Sequence, residues 1–422
     1  MSEANCDVAI IGAGPTGLSA AIELKRQGVA NVVVFERMAE AGGIPRHCGH
    51  PPFGMREFGR ILTGPAYARR LVAKAVAVGV TILTKHSVIH AGDDGQLTVA
   101  SPDGSLTMQA TRILIATGAR ETTRAQLLVP GTRPLGVMNT AALQSFIYQE
   151  GRLPFRRPVI VGSELVALSA FVTCRSHGIR PVAMIETRPI VQARPLFFTL
   201  PRLFGVPVLT GAEILGIDGA PTGAARVSTL RLRKSDGQET ALACDGIIFA
   251  GRFTAEAALA EACGLTLDRR TGGPEIDQDG RSSAPRIFAA GNMVHPVETA
   301  GHCWAEGRRV AKVIAADIHA AAKAAASAPV SSPPQRHIGL GEGLTYVVPQ
   351  KLAVMPDGKA PCLNIRAVGK ARGRLILAGR DGRPLRTISV NTFAQQPIRF
   401  PLNGLDLATV DSDLELRLEP RP

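Results

Sequence analysis

An α/β fold, with two nested strand–helix–strand units and a small all-β module behind them, is predicted by three observations. The chain opens on an apolar run, Val8-Ala9-Ile10-Ile11, followed by glycines at G-x-G-x-x-G spacing (Gly12, Gly14, Gly17) and an Ala-rich helical stretch. A second strand–helix–strand pattern starts near Arg157, with Val159-Ile160-Val161-Gly162 as its first buried run. Beyond residue 335, short alternating runs separated by Asp-Gly turns replace the helical pattern.

The first unit is the most explicit. Gly12 permits the tight turn out of the strand, Gly14 lets a phosphate group approach the backbone, and Gly17 lets helix and strand pack closely. Pro15 and Thr16 complete the turn into the helix. A second apolar run, Val32-Val33-Val34-Phe35, ends at Glu36 and Arg37, where an acid would bind a ribose hydroxyl. Strand, triplet, helix and spaced acid together point to a dinucleotide held on helix N–H groups. Residues 42–65 are rich in Gly, Pro and His and read as a loop on a rigid scaffold, a common place for function. A helix is expected over 65–78, a strand over 81–83, and a small meander over 87–91, 97–101 and 105–109. The apolar run 113–118 then ends in the turn Ala116-Thr117-Gly118.

In the second unit the periodicity predicts a helix over 165–177, strands over 181–186 and 227–233, and a buried strand over 246–252. The run Ile287-Phe288-Ala289-Ala290-Gly291-Asn292 reads as a strand returning to the first unit, and 304–322 as a long helix. Residues 323–335, rich in Ala, Ser and Pro, read as a linker. Candidate strands of the β module are 346–348, 363–368, 375–378, 387–390, 398–400 and 414–418.

Composition narrows the function. A chain of 422 residues with 45% hydrophobic content builds large cores, and its length fits roughly two or three domains. The net charge of +13 is spread over scattered Arg residues, and one Trp and three Tyr offer little stacking surface, so no nucleic-acid partner is expected. No apolar run reaches membrane-spanning length, and the chain enters a strand at once, so neither a membrane span nor a signal peptide is expected. Seven scattered cysteines without a C-x-x-C pair fit a cytoplasmic setting and no metal site.

Three fragments, Gly12–Gly17 with Glu36, Ala116-Thr117-Gly118 and the run 287–292, resemble the two-dinucleotide-binding-domain flavoproteins, which include glutathione-reductase and thioredoxin-reductase relatives. The resemblance covers about residues 5–325. It implies an FAD-binding domain split into 1–148 and 268–325, an inserted NAD(P)-binding-like domain at 149–267, a linker at 326–335 and a β module at 336–422. It also implies that Gly43, Gly291 and Asn292 join the FAD site, Asn292 standing where an acid usually meets the ribityl chain. The stretch Ala300-Gly301-His302 would start a helix aimed at the flavin pyrimidine edge, where a helix N-terminus stabilises reduced flavin. A narrower similarity, carried by Gly42-Gly43-Ile44, Cys48, His50, Leu62-Thr63-Gly64-Pro65, the stretch 119–124 and Gly291-Asn292-Met293-Val294-His295, is to bacterial FAD-dependent accessory subunits of amine, amino-acid or glycerol-phosphate dehydrogenases. It implies a small-molecule substrate and a partner that is a second flavoprotein subunit.

The second glycine triplet departs from the pattern. It reads Gly162-Ser163-Glu164-Leu165-Val166-Ala167, with Glu164 where the phosphate-facing glycine belongs. A carboxylate beside a pyrophosphate costs about 1–4 kcal/mol at common separations. Glu186 stands where a ribose-binding acid belongs, and Arg188 or Arg194 could meet a 2′-phosphate, so NAD(P)H binding is left open. The catalytic candidates are Cys48, His50 and His302. A lone thiol could cycle through a sulfenic acid if a neighbouring His⁺ or Arg46 lowered its pKa. His50 could accept a proton from an amine or alcohol, and His302 could donate one beside the flavin. Packing, loop bonding and helix capping are the structural alternatives for these three. Arg120, Arg124 and Arg133 could attract a carboxylate or form surface ion pairs. The function expected is FAD-linked oxidation of an amine, amino acid or hydroxy acid. The alternatives are an NAD(P)H-linked reductase, a Cys48 peroxidase, or an FAD-bearing scaffold docking through 336–422.

Overall fold

A computed structural model describes residues 4–220, 226–323, 335–353, 362–393, 396–405 and 412–420. Its first sheet has seven strands, ordered Thr81–Thr84, Val32–Glu36, Ala4–Ile11, Gly104–Ile115, Gln96–Ser101 and Ser87–Ala91, with Ile287–Ala289 also paired to Gly104–Ile115. The strands from Thr81–Thr84 to Gly104–Ile115, and Ile287–Ala289, run parallel; the outer two are antiparallel. The expected runs 105–109 and 113–118 are one strand of 12 residues, whose first half completes the meander and whose second half joins the parallel core. Residues Ala116 to Gly118 lie beyond its end, as a turn.

The helix Pro15–Arg26 packs on this sheet. Proline at its first turn lacks the N–H that would be unpaired there, and Lys25 and Arg26 in its last turn complement the dipole. It buries Leu18 and Leu24 completely, each worth about 1.5–3 kcal/mol over exposure. The helix Ala300–Lys323 lies against it, and a Cβ on Gly307 would collide with the Thr16 carbonyl. Arg308 closes the contact by donating to Glu23 at 2.8 Å.

The second sheet has five parallel strands, ordered Val208–Thr210, Ala183–Glu186, Pro158–Val161, Gly246–Phe249 and Val137–Asn139. The expected inserted domain begins at 149, whereas this sheet already includes Val137–Asn139. A three-stranded antiparallel sheet, Glu213–Gly219, Val227–Arg233 and Glu239–Ala243, covers it. Strands Ala119–Glu121 and Phe253–Ala255 pair where the chain crosses between the units.

The C-terminal module is two sheets, of five and three strands, sharing a core that includes Leu363, Leu377, Phe400 and Leu416. All six expected strands form there, with two more at Gln335–Leu340 and Lys351–Ala353. Of the expected linker, Lys323 ends the long helix and Gln335 begins a strand; residues 324–334 lie outside the described residues. The module is seated on the first unit: Tyr346 and Val348 pack with Ile276, Ala289 and Val294, and Gln278 and Ala353 exchange hydrogen bonds of 2.8 Å. Among the described residues no helix is long and apolar enough to cross a membrane, and no group of His, Cys, Asp and Glu could hold a metal ion.

Candidate flavin site and the second cleft

The turns that follow the parallel strands of the first sheet gather Gly12, Gly14, Pro15, Thr16, Gly17, Glu36, Arg37, Thr117, Gly118 and Gly291 at one end of it, where doubly wound sheets bind ligands. Gly12 sits at φ +107°, and any side chain there would strike the Ala116 carbonyl. A Cβ on Gly17 would strike the Gly12 carbonyl, so helix and strand approach only through glycine. Gly14 differs: a Cβ there meets no protein atom within 4 Å. It caps a helix that has no side-chain cap, leaving the first-turn N–H groups of Thr16 and Gly17 available to a phosphate. Gly43 closes over it, with its absent Cβ 2.8 Å from the Gly14 Cα, and Gly118 also opens onto free space. Glu36 is buried and held by the N–H groups of Ala13 (3.1 Å) and Met38 (2.9 Å). These residues fit FAD, with glycine wherever a bulky anion needs backbone.

The remaining expected FAD residues serve the frame around this crevice. Thr117 donates to the Glu256 carbonyl at 2.8 Å, and Arg37, largely exposed, approaches the Glu256 carboxylate at 3.8 Å. Asn292 has its amide engaged with the Glu298 backbone, accepting at 2.7 Å and donating at 3.2 Å, which closes the loop before the last helix. The Gly301 carbonyl accepts from Arg56 at 3.3 Å. The partly buried Glu306 accepts from the Gly291 N–H and pairs with His295, both at 2.8 Å. Burial alone would lower the His295 pKa, but the Glu306 charge and hydrogen bond outweigh it and hold it raised.

The catalytic candidates fall in two places. Cys48 and His50 face the second unit. Cys48 is buried, lies 3.4 Å from the Gln144 Oε1 atom, and has its pKa pushed up to about 12 by burial and then by the Glu121 charge. The expected activating cations are elsewhere: Arg46 pairs with Glu40 at 2.6 Å, and burial drives the His47 pKa down to about 4, leaving it neutral. The expectation of a cation-lowered thiol is therefore corrected, because this environment disfavours thiolate. Both His50 nitrogens are engaged, Nδ1 with the Pro51 carbonyl at 2.9 Å and Nε2 with the Ser169 hydroxyl at 2.6 Å. Gln144 links the same Ser169 (2.8 Å) and Thr173 (3.2 Å), so Cys48 and His50 belong to a latch between the loop and the helix Leu165–Ser176. His302 stands apart at the start of the last helix, its Nδ1 2.9 Å from the Thr299 hydroxyl and 3.4 Å from Glu298. Burial and the nearby Arg56 and Arg399 lower its pKa against the Glu298 charge, so the imidazole is neutral. Of the basic trio, Arg124 is engaged with the carbonyls of Val129, Pro130 and Thr132, so it shapes a loop.

The second cleft has a volume of about 320 Å³ and is lined by Gly162, Ser163, Glu164, Glu186, Arg188 and Arg252 among others. Its backbone repeats the first: Gly162 sits at φ +124°, and Glu164 caps its helix at φ −77°, as Gly14 does at φ −82°. The Glu164 carboxylate lies over Gly251 and accepts from the Arg252 N–H at 3.3 Å. Arg252, at φ 51°, is one of three non-glycine residues with positive φ among the described residues. Ser163, which stands where the first unit has Ala13, donates its hydroxyl to Glu186. Glu164 thus puts a carboxylate at the position that is Gly14 in the first unit, without bonding the helix N–H groups, and Ser163 holds one oxygen of Glu186 as the Ala13 N–H holds one of Glu36. Sequence reasoning missed Ser163; aligning it with Ala13 was the available signal. It also missed Glu121, which is buried, accepts from Ala141 (2.7 Å) and Gly251 (3.2 Å), and has its pKa raised to about 7 by burial.

The pattern shared by pyridine nucleotide-disulphide oxidoreductases matches residues 6–316. The chain belongs to that family. This pyridine nucleotide-disulphide oxidoreductase is an FAD-dependent enzyme, and NAD(P)H is the common electron donor of its family. Its fold is similar to that of T. acidophilum thioredoxin reductase, with a TM-score of 0.63 at 20% identity over 75% of this chain and 99% of that one. Two curated relatives come from Rhizobium meliloti (strain 1021). The alpha subunit of sarcosine oxidase is 27% identical over 195 residues, 44% of this chain and 20% of that protein. An opine oxidase subunit is 28% identical over 186 residues, 43% of this chain and 38% of that protein. The chain thus matches well under half the length of either.

Proposed function

We propose that this enzyme oxidises a small amine, amino acid or hydroxy acid, passing a hydride to bound FAD, and that it works as the flavin subunit of a multi-subunit dehydrogenase. The observation that supports this reading is the second cleft, where Glu164 stands in place of the phosphate-facing glycine, so that a dinucleotide pyrophosphate would meet a carboxylate. With a nicotinamide donor disfavoured there, an organic substrate is the source of reducing power in this reading. The similarity to subunits of a sarcosine oxidase and of an opine oxidase supports both the substrate class and the assembly. The seven free cysteines fit a reducing compartment, and we place the enzyme in the cytoplasm.

FAD, when bound, supplies the two-electron acceptor. The chain's own part is to hold and polarise it. The N–H groups after Gly14 would take the pyrophosphate and Glu36 the ribose. The helix starting at Ala300 would present its positive end to developing negative charge, with neutral His302 in its first turn able to donate or accept a proton. The peroxidase alternative finds no support at Cys48, whose thiol is held protonated. The test is anaerobic mixing of the FAD-loaded protein with a panel of secondary amines, amino acids and hydroxy acids. Bleaching of the flavin band by one class is expected, and no bleaching by any class, with or without co-purified subunits, contradicts the proposal.

A further inference from the structure

The segment that follows the Glu186 strand is unusual for a surface. Between residues 187 and 206 the sequence holds three arginines and no lysine, aspartate or glutamate. It folds as a short 3-10 turn, Pro195–Phe198, and a short helix, Thr199–Leu203. Phe198 and Pro201 are buried and pin the segment to the second unit. Val206 and Val191 also pack into that unit's core, while the remaining large apolar side chains face outward: Leu203 is 83% exposed, Leu196 74% and Phe204 48%, with Ile190, Phe197 and Leu200 also exposed. The Arg175 guanidinium lies over the Phe204 ring at 4.6 Å. Arg194 and Arg202 are exposed and have no carboxylate partner among the described residues.

We infer that residues 190–204 are the docking surface for a partner protein whose contact face is apolar at its centre and ringed with carboxylates. The inference deepens the multi-subunit reading above by naming the face and the kind of partner. An apolar patch left in water is the usual mark of an interaction site. Its composition, Phe and Arg without Lys, Glu or Asp, is that of a protein interface. Charge decides the occupant. A second copy placed face to face would set Arg194 and Arg202 against their own kind, whereas a carboxylate rim neutralises them. A membrane surface is a poorer fit, since the helix has only 5 residues and the segment contains no lysine.

The test replaces Leu203 with a photo-crosslinking phenylalanine analogue in the native host, with exposed Asp103 replaced likewise as a control. The expected result is an adduct at 203, absent at 103, with a polypeptide of different sequence whose linked peptide carries apolar residues flanked by Asp or Glu. The double variant Arg194→Glu, Arg202→Glu should lower the adduct yield at least about tenfold, while bound flavin and melting temperature stay as in the parent. Adducts only between copies of this chain, only with lipid, or none above the control overturn the inference, as does an unchanged yield in the double variant. Purified protein mixed with vesicles of phosphatidylcholine and phosphatidylglycerol should stay in the supernatant on sedimentation; co-sedimentation that Arg194→Glu, Arg202→Glu abolishes assigns the face to lipid and also overturns it. Failure here leaves reduction of FAD by an organic donor untouched, because that reaction is read on the chain's own flavin.

Discussion

Gly14 and Gly17 belong to one triplet but are glycines for different reasons. A methyl group at position 17 collides with backbone, while one at position 14 meets no protein atom within 4 Å and would stand in the way of a bound phosphate. Gly14→Ala is therefore expected to fold with an unchanged circular dichroism spectrum and to bind FAD at least about tenfold more weakly by titration calorimetry, about 1.4 kcal/mol. Gly17→Ala is expected to fail to accumulate as folded protein. Equal behaviour of the two would remove the basis for placing the pyrophosphate at Gly14. At Cys48 the pKa near 12 predicts that native protein resists iodoacetamide up to roughly pH 10, while unfolded protein reacts near pH 8.5. Peptide mapping after timed alkylation checks this. Glu121 gives a pH dependence of defined sign. Its folded pKa of about 7 lies above the ordinary 4.5, so its contribution to stability is complete below 4.5 and lost as pH rises through 7. The melting temperature of the parent should fall more steeply between those values than that of Glu121→Gln; parallel curves would show that Glu121 does not carry the proton.

At the scale of elements, the latch between the loop and the helix Leu165–Ser176 rests on His50, Ser169 and Gln144. Ser169→Ala removes one partly buried hydrogen bond to each of two partners and should cost about 1–2 kcal/mol. Faster amide exchange is expected over residues 42–52, with the strand Ala4–Ile11 unchanged; uniform loosening would mean that the latch is not local. Most elements around it were legible in the sequence, because apolar runs, glycine turns and helical periodicity are local signals. The helices Gly64–Ala77 and Leu165–Ser176 lie within a residue of their expected bounds for that reason. The continuity of Gly104–Ile115 was not legible: Arg112 interrupts the apolar pattern, and its ion pair to Asp317 on the last helix is a long-range contact. The same limit applies to the site. The glycines and Glu36 were readable as spacing, whereas the engagement of Glu186 by Ser163 and of Glu164 by the Arg252 N–H depends on loops brought together by the fold.

At the scale of the molecule, two sheets carry glycine-turned crevices, the first with Gly14 at the phosphate-facing position and the second with Glu164 there. The β module, bonded to the first unit through Gln278 and Gln350, extends the flavin unit. The second unit retains the architecture of a nicotinamide domain with its own side chains in the cleft. Removing those side chains should restore what the backbone still offers. Ser163→Ala combined with Glu164→Gly is expected to raise the rate of FAD reduction by NADH or NADPH at least about tenfold, since it removes a repulsion of about 1–4 kcal/mol. The most direct measurement is anaerobic stopped-flow mixing of the unaltered, FAD-loaded protein with NADH or NADPH, followed at the flavin absorbance band. The flavin is predicted to stay oxidised under conditions where the double variant bleaches; rapid, stoichiometric bleaching of the unaltered protein by either nucleotide would contradict a second cleft from which Glu164 repels a dinucleotide.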